Sequence, residues 1–220
     1  MKKFYQFTSN ENSTELLIYG DITSWKQSDS DVGAYDFSQE LAEVTTDLVV
    51  RINSYGGEVA EGLAIYNMLK SFSHKVTTVC DGFACSAASV IFMAGDVRIM
   101  RTASLLMIHN AWTIVIADHN GMRKTADDLE KITQPSVEVY KSVSNLEETT
   151  IKEMMDREEW ISPKEALEYG FATAIEEQGA QQSVQDIAMY KLVMENKELK
   201  KSIEQNAQKQ KEDVWASFLG

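Results

Sequence analysis

Residues 76–94 read Val76-Thr-Thr-Val-Cys80-Asp-Gly-Phe-Ala-Cys-Ser86-Ala-Ala-Ser-Val-Ile-Phe-Met-Ala94, and this stretch decides the fold. Residues 76–80 are β-branched and apolar and predict a short strand; residues 86–94 are a dense run of small and apolar side chains suited to a buried helix. The same alternation continues outward. Upstream, Glu15-Leu-Leu-Ile-Tyr19 and Leu48-Val-Val-Arg-Ile52 predict strands ending at Gly20 and Asn53-Ser54. Phe37, Leu41 and Val44 recur at helical spacing, and Val59, Leu63, Tyr66 and Leu69 fall on one helical face. Downstream, residues 97–100 and 105–108 predict two more strands. Strand and helix taking turns argue for a layered α/β core of parallel β-α-β units.

From Gly121 the pattern turns helical, with Met122, Ala126, Leu129 and Ile132 in phase. Pro135 is expected to end or kink that helix, after which Val137, Tyr140 and Val143 resume the pattern. Ser162-Pro-Lys-Glu165 is a helix start with a capping box, and Gly170 closes the helix that follows. Near Glu176 the composition shifts to Gln, Glu and Lys. The chain therefore divides into a core domain, residues 1–177, and an acidic helical tail, residues 178–220.

Of the 220 residues 44% are apolar, enough for a sizeable core. A net charge of −13 repels phosphate backbones and anionic lipid, so neither nucleic acid nor membrane is an expected partner. The two cysteines, Cys80 and Cys85, sit in apolar stretches and read as buried free thiols in a reducing compartment. No Cys/His cluster marks a metal site, no run approaches a transmembrane span, and no apolar segment follows Met1-Lys2-Lys3. A cytoplasmic protein is expected.

Acyl transfer needs a nucleophile, a base touching it, an orienting acid and donors for an oxyanion. Three segments supply residues of those types. In Ile52-Asn-Ser-Tyr-Gly56-Gly57-Glu58, paired glycines between a strand and a helix let backbone N–H groups approach a ligand closely; alone, this is an ordinary tight turn. In Asp81-Gly-Phe-Ala-Cys-Ser86-Ala87, the serine stands where strand gives way to helix, and the next N–H can face an oxyanion; a serine among alanines is more often a helix cap. In Leu105-Leu-Met-Ile-His109-Asn110, a histidine ends an apolar strand and needs a hydrogen-bond partner. His74 and His119 lie in polar surroundings and are weaker candidates.

Together, Ile-Asn-Ser-x-Gly-Gly, Gly-x-x-x-Ser-Ala-Ala and Met-Ile-His resemble, in type, order and spacing, the proteolytic subunit of the Clp proteases (the ClpP-like family). Twenty-nine positions separate Gly57 from Ser86, and twenty-three separate Ser86 from His109. Residues 158–172, from Glu158 through Trp160 to Ala172, look like the family's terminal block, and the resemblance covers residues 16–175. It implies a ClpP/crotonase-type spiral of β-α-β units with a helical handle over residues 121–156 and a C-terminal helical tail. It implies a serine endopeptidase with Ser86 as nucleophile, His109 as base, and the N–H groups of Gly57 and Ala87 as oxyanion donors. The family's acid is usually an aspartate two residues before the aromatic that opens the last block. Here that position is Glu158, with Asp156 as the alternative. No cofactor is implied; self-association into rings is.

Two features depart from the cellular subunit. The amino-terminal segment does not resemble the loops that meet an ATPase, and an acidic tail is appended. The chain thus resembles the phage-encoded head maturation proteases, acting on scaffold or capsid proteins in the host cytoplasm or prohead without an ATPase. The tail then reads as a linker or scaffold-interacting arm, or as a solvated helix with no specific role. Two other readings stay open: a catalytically silent assembly protein of the same fold, and a crotonase-type acyl-CoA hydratase or isomerase.

Overall fold

The structure is a computed structural model that describes residues 7–9, 13–28 and 30–176. Strand β1 (Phe7–Ser9) pairs antiparallel with β2 (Ser13–Ile18). From β2 the sheet runs parallel through β3 (Asp47–Ser54), β4 (Val76–Cys85) and β5 (Val97–Arg101) to β8 (Ala174–Glu176). Helix α1 (Ala34–Leu41) follows β2, α2 (Val59–Lys70) links β3 to β4, and α3 (Ala87–Phe92) links β4 to β5. These are the β-α-β units expected from the alternating pattern.

Side-chain alternation gives the sheet two unlike faces. Leu16, Ile18, Leu48, Val50 and Ile52 are fully buried on the face that meets the helices. Glu15 and Arg51, which alternate with them on β2 and β3, carry charge and pair with each other (3.8 Å). Asp81 on β4 accepts from the Tyr19 hydroxyl (2.7 Å) and pairs with Arg51 on β3 (2.5 Å) and Arg101 on β5 (3.4 Å). One acid shared by two arginines and a phenol ties four adjacent segments of the sheet together.

Strand β4 is longer than the sequence predicts. It runs past Cys80 to Cys85 and changes partner on the way, pairing with β5 over Thr77–Cys80 and then with β6 (Leu105–Ile108) over Phe83–Cys85. The register of β3 shifts between Ile52 and Ser54, and the Asn53 side-chain oxygen there accepts from the Phe83 N–H (3.1 Å). That bond bridges the irregularity, and the strand continues through Asp81-Gly82, past the end at Cys80 that the sequence predicts. On its far side β6 takes up β7 (Glu159–Ile161) antiparallel.

Helix α4 (His119–Val143) is 25 residues long and includes Pro135, which does not end it. The proline removes one bond, to the carbonyl of Lys131, at a point where both residues are exposed. The expected handle over residues 121–156 consists of α4 and a second helix, α5 (Glu148–Asp156). In α6 (Pro163–Tyr169) the capping box between Ser162 and Glu165 is formed, and Gly170 ends the helix at φ 85°. No helix among the described residues is long and apolar enough to cross a membrane. The expected tail, residues 178–220, lies outside the described residues.

Candidate active site

Ser86 stands between the end of β4 and the start of α3 with φ 54° and ψ −127°. A non-glycine residue in such a region costs on the order of 1–3 kcal/mol and persists only where its surroundings over-determine it. Here they do. The Ser86 N–H donates to the Met107 carbonyl of β6 (2.9 Å), and its carbonyl accepts from the N–H groups of Ser89 (2.9 Å) and Val90 (3.3 Å). Ala87 opens α3, so its N–H has no partner within the helix.

Facing this turn is the Gly56-Gly57 loop. Gly56 has φ 97° and Gly57 φ 149°. A Cβ on Gly56 would lie 2.6 Å from the Cys85 carbonyl oxygen, 2.7 Å from Ser86 Cβ and 2.9 Å from the Ala87 nitrogen. The missing side chain is what lets the loop reach the serine. Ile22 pins the loop from behind: its N–H donates to the Gly56 carbonyl (2.9 Å), and its carbonyl accepts from the Glu58 N–H (2.7 Å). This parallel bridge uses the groups on either side of Gly57 and leaves the Gly57 N–H outside it. The Glu58 carboxylate fixes the outer side, accepting from the hydroxyls of Thr23 (2.6 Å) and Ser24 (2.9 Å).

His109 follows β6 directly. Ser86, Ala87 and His109 line one cleft, closed at its inner end by Val90, Ser136 and Tyr140. Its empty volume is about 320 Å³, open solvent included. His74 and His119 are exposed, as their polar surroundings predict. Cys80 and Cys85 are buried free thiols, and burial pushes the Cys80 thiol up to about 12, so it is unreactive.

The two candidate acids are held differently. The β6–β7 register pairs Leu106 with Ile161, Met107 with Trp160 and Ile108 with Glu159. The ladder ends there, with His109 and Glu158 the residues that flank its last pair. Glu158 is exposed and has φ 51°; it and Ser86 are the two non-glycine residues with positive φ among those described. Asp156, the last residue of α5, accepts at Oδ1 from Asn110 Nδ2 (2.7 Å). That carboxylate engages the neighbour of His109. Sequence reasoning assigned Asn110 no role, and nothing in its type or spacing marks a contact 46 positions away.

Fold and site together define an α/β protein with a serine–histidine cleft at the switch of a parallel sheet. The chain belongs to the Clp protease family: the family model described as Clp protease matches residues 37–179. It is 32% identical over 134 residues to the ATP-dependent Clp protease proteolytic subunit of Deinococcus radiodurans, a stretch covering 60% of this chain and 66% of that protein. It is 32% identical over 136 residues to proteolytic subunit 3 of Rhodococcus jostii, covering 61% of this chain and 67% of that protein. Among solved structures, a point mutant of ClpP1 from Listeria monocytogenes superposes with a TM-score of 0.63 at 25% identity, over 74% of this chain and 91% of that one. The expected ClpP-like α/β fold is thus the observed one.

Proposed function

We propose that this chain is a serine endopeptidase. The observation that carries the reading is the strained Ser86 backbone, held at the end of β4 in the cleft it shares with His109. In the proposed reaction His109 takes the Ser86 proton as the hydroxyl attacks the peptide carbonyl, then gives it to the leaving amine. Water hydrolyses the acyl-enzyme by the same route in reverse. The N–H groups of Gly57 and Ala87 receive the oxyanion; losing one such donor costs about 2.7–4 kcal/mol of barrier in a known protease. Glu158 orients the imidazole. Membership of the Clp protease family argues against acyl-CoA hydration.

Self-association belongs to this reading. Trp112, Ile114 and Ile116 are 67%, 71% and 99% exposed along one extended segment before α4, more apolar surface than an isolated subunit ordinarily shows. Covering it with a second subunit fits a ring assembly.

The finer assignment, to the proteases that mature phage heads, rests on the divergent amino-terminal segment and the acidic tail. It predicts cleavage of scaffold or capsid protein without ATP. The activity is tested by fluorophosphonate labelling of the purified protein beside Ser86→Ala, read by intact mass. Label on the wild type only, at Ser86, is the expected result; a well-folded oligomer that takes no label overturns the enzyme reading in favour of a silent assembly protein. Co-expression with a phage scaffold protein tests the branch, and a strict requirement for an unfoldase and ATP would refute it.

A further inference from the structure

Ser89 lies fully buried in α3, three residues after Ser86. Its Oγ is 2.6 Å from the Ser86 carbonyl oxygen and 2.8 Å from the Tyr140 hydroxyl of α4. A carbonyl oxygen only accepts, so the single proton of the Ser89 hydroxyl goes to Ser86. The Tyr140 hydroxyl must then donate to Ser89. The result is a directed chain, Tyr140 to Ser89 to the Ser86 carbonyl, in which each bond polarises the next. Tyr140 is 1% exposed, and its ring meets Phe171 edge-on at 6.0 Å, so the packed ring holds the hydroxyl in place. Burial also raises its pKa, which keeps the phenol a neutral donor at any working pH.

We infer that Tyr140 is a positioning residue that acts through Ser89 on the Ser86 backbone. Without the Ser89 hydroxyl the Ser86 carbonyl keeps two N–H donors, at 2.9 and 3.3 Å, both from the first turn of α3 itself. The side-chain chain is what anchors that turn to a different element, α4. It thereby makes the strained nucleophile geometry depend on where α4 sits. Tyr140 also borders the cleft, so a role in touching substrate is the rival to be separated.

Tyr140→Phe keeps the buried ring and removes only the hydroxyl. Losing one buried hydrogen bond that acts on the nucleophile slows fluorophosphonate acylation by about 3–10-fold. KM for a fluorogenic peptide stays within about twofold while kcat falls. Ser89→Ala gives a loss of similar size, and the double variant is no slower than the slower single, because both act through one chain. Wild-type acylation in Tyr140→Phe, additive losses, or a changed KM at constant kcat would each overturn the inference. The kinetic arm rests on the peptidase reading, which fails separately if the wild type takes no label. In that event amide hydrogen exchange at Ser89 and Val90 decides: faster in Tyr140→Phe supports the tether, unchanged refutes it.

Discussion

Ser86 and Glu158 share a positive φ that no other described non-glycine residue has, yet they are secured by opposite means. Ser86 sits where β4 leaves the buried sheet, bonded to β6 on one side and to α3 on the other, with the Gly56 backbone against its Cβ. Glu158 is exposed and sits on the turn from α5 to β7, its N–H donating to Met155 (3.1 Å) before a strand of three residues begins. The proposed nucleophile takes its precision from the core. The proposed acid takes its own from a short ladder at the edge. Damage to the two halves should therefore differ in kind: the first half fails by misplacing a rigid turn, the second by losing orientation of an imidazole that is still present.

The largest effect should come from removing the nucleophile. Ser86→Ala is expected to lower peptide hydrolysis by roughly 10⁴–10⁶-fold while leaving the denaturant midpoint near wild type, since it removes only the hydroxyl and keeps the Cβ and the backbone bonds of the turn. Next comes the acid half. Glu158→Gln should cost about 10²–10⁴-fold in kcat, as loss of an orienting carboxylate does elsewhere, whereas Asp156→Asn should cost no more than about 10-fold. The reverse order in steady-state assays would make Asp156, through Asn110, the working acid. Gly56→Ala probes the wall behind the serine: its methyl must displace the Cys85 carbonyl or the Ala87 nitrogen. It should lower acylation by about 10²-fold, the cost of a misplacement near 1 Å, and it should also shift the unfolding midpoint, which Glu158→Gln should not.

The smallest effect concerns pH. Hydrogen bonds from the Thr23 hydroxyl first, and then from Ser24, outweigh burial and hold the Glu58 carboxyl below its ordinary range. A depressed folded pKa means the bracing of the glycine loop is present above the ordinary glutamate value of about 4.3 and is lost as pH falls through the folded value. Amide exchange at Ser24, whose N–H donates to Glu58 (3.2 Å), should exceed the ordinary pH trend in that window. Glu58→Gln should abolish the excess and change activity at neutral pH by less than about threefold.

Much of this arrangement is legible in the sequence. The strand–helix alternation over residues 48–108 predicted the parallel units because burial on one face imposes a period of two on strands and 3.6 on helices. Three motifs named Ser86, His109 and the glycine pair because their chemistry needs those residue types in that order. Capping at Ser162 and Gly170 was readable since a cap is a local hydrogen bond among neighbours in sequence. The strand predicted over residues 76–80 is too short, because a partner thirty residues back carries β4 on through Asp81-Gly82, and of the two outcomes expected at Pro135 the helix end is not the one observed.

The class of fold, the serine and histidine proposed as nucleophile and base, and the glycine pair opposite them are legible from the chain alone, because each follows from patterning or from residue chemistry within a short window. Only the folded chain supplies the rest: the positive φ at Ser86, the β6–β7 pairing that ends at Ile108 and Glu159, the Asn110 hold on Asp156 and the Tyr140–Ser89 chain. Each of these joins residues brought together by strand pairing or helix packing. Such contacts exist only once the sheet has chosen its order, and no local pattern encodes them.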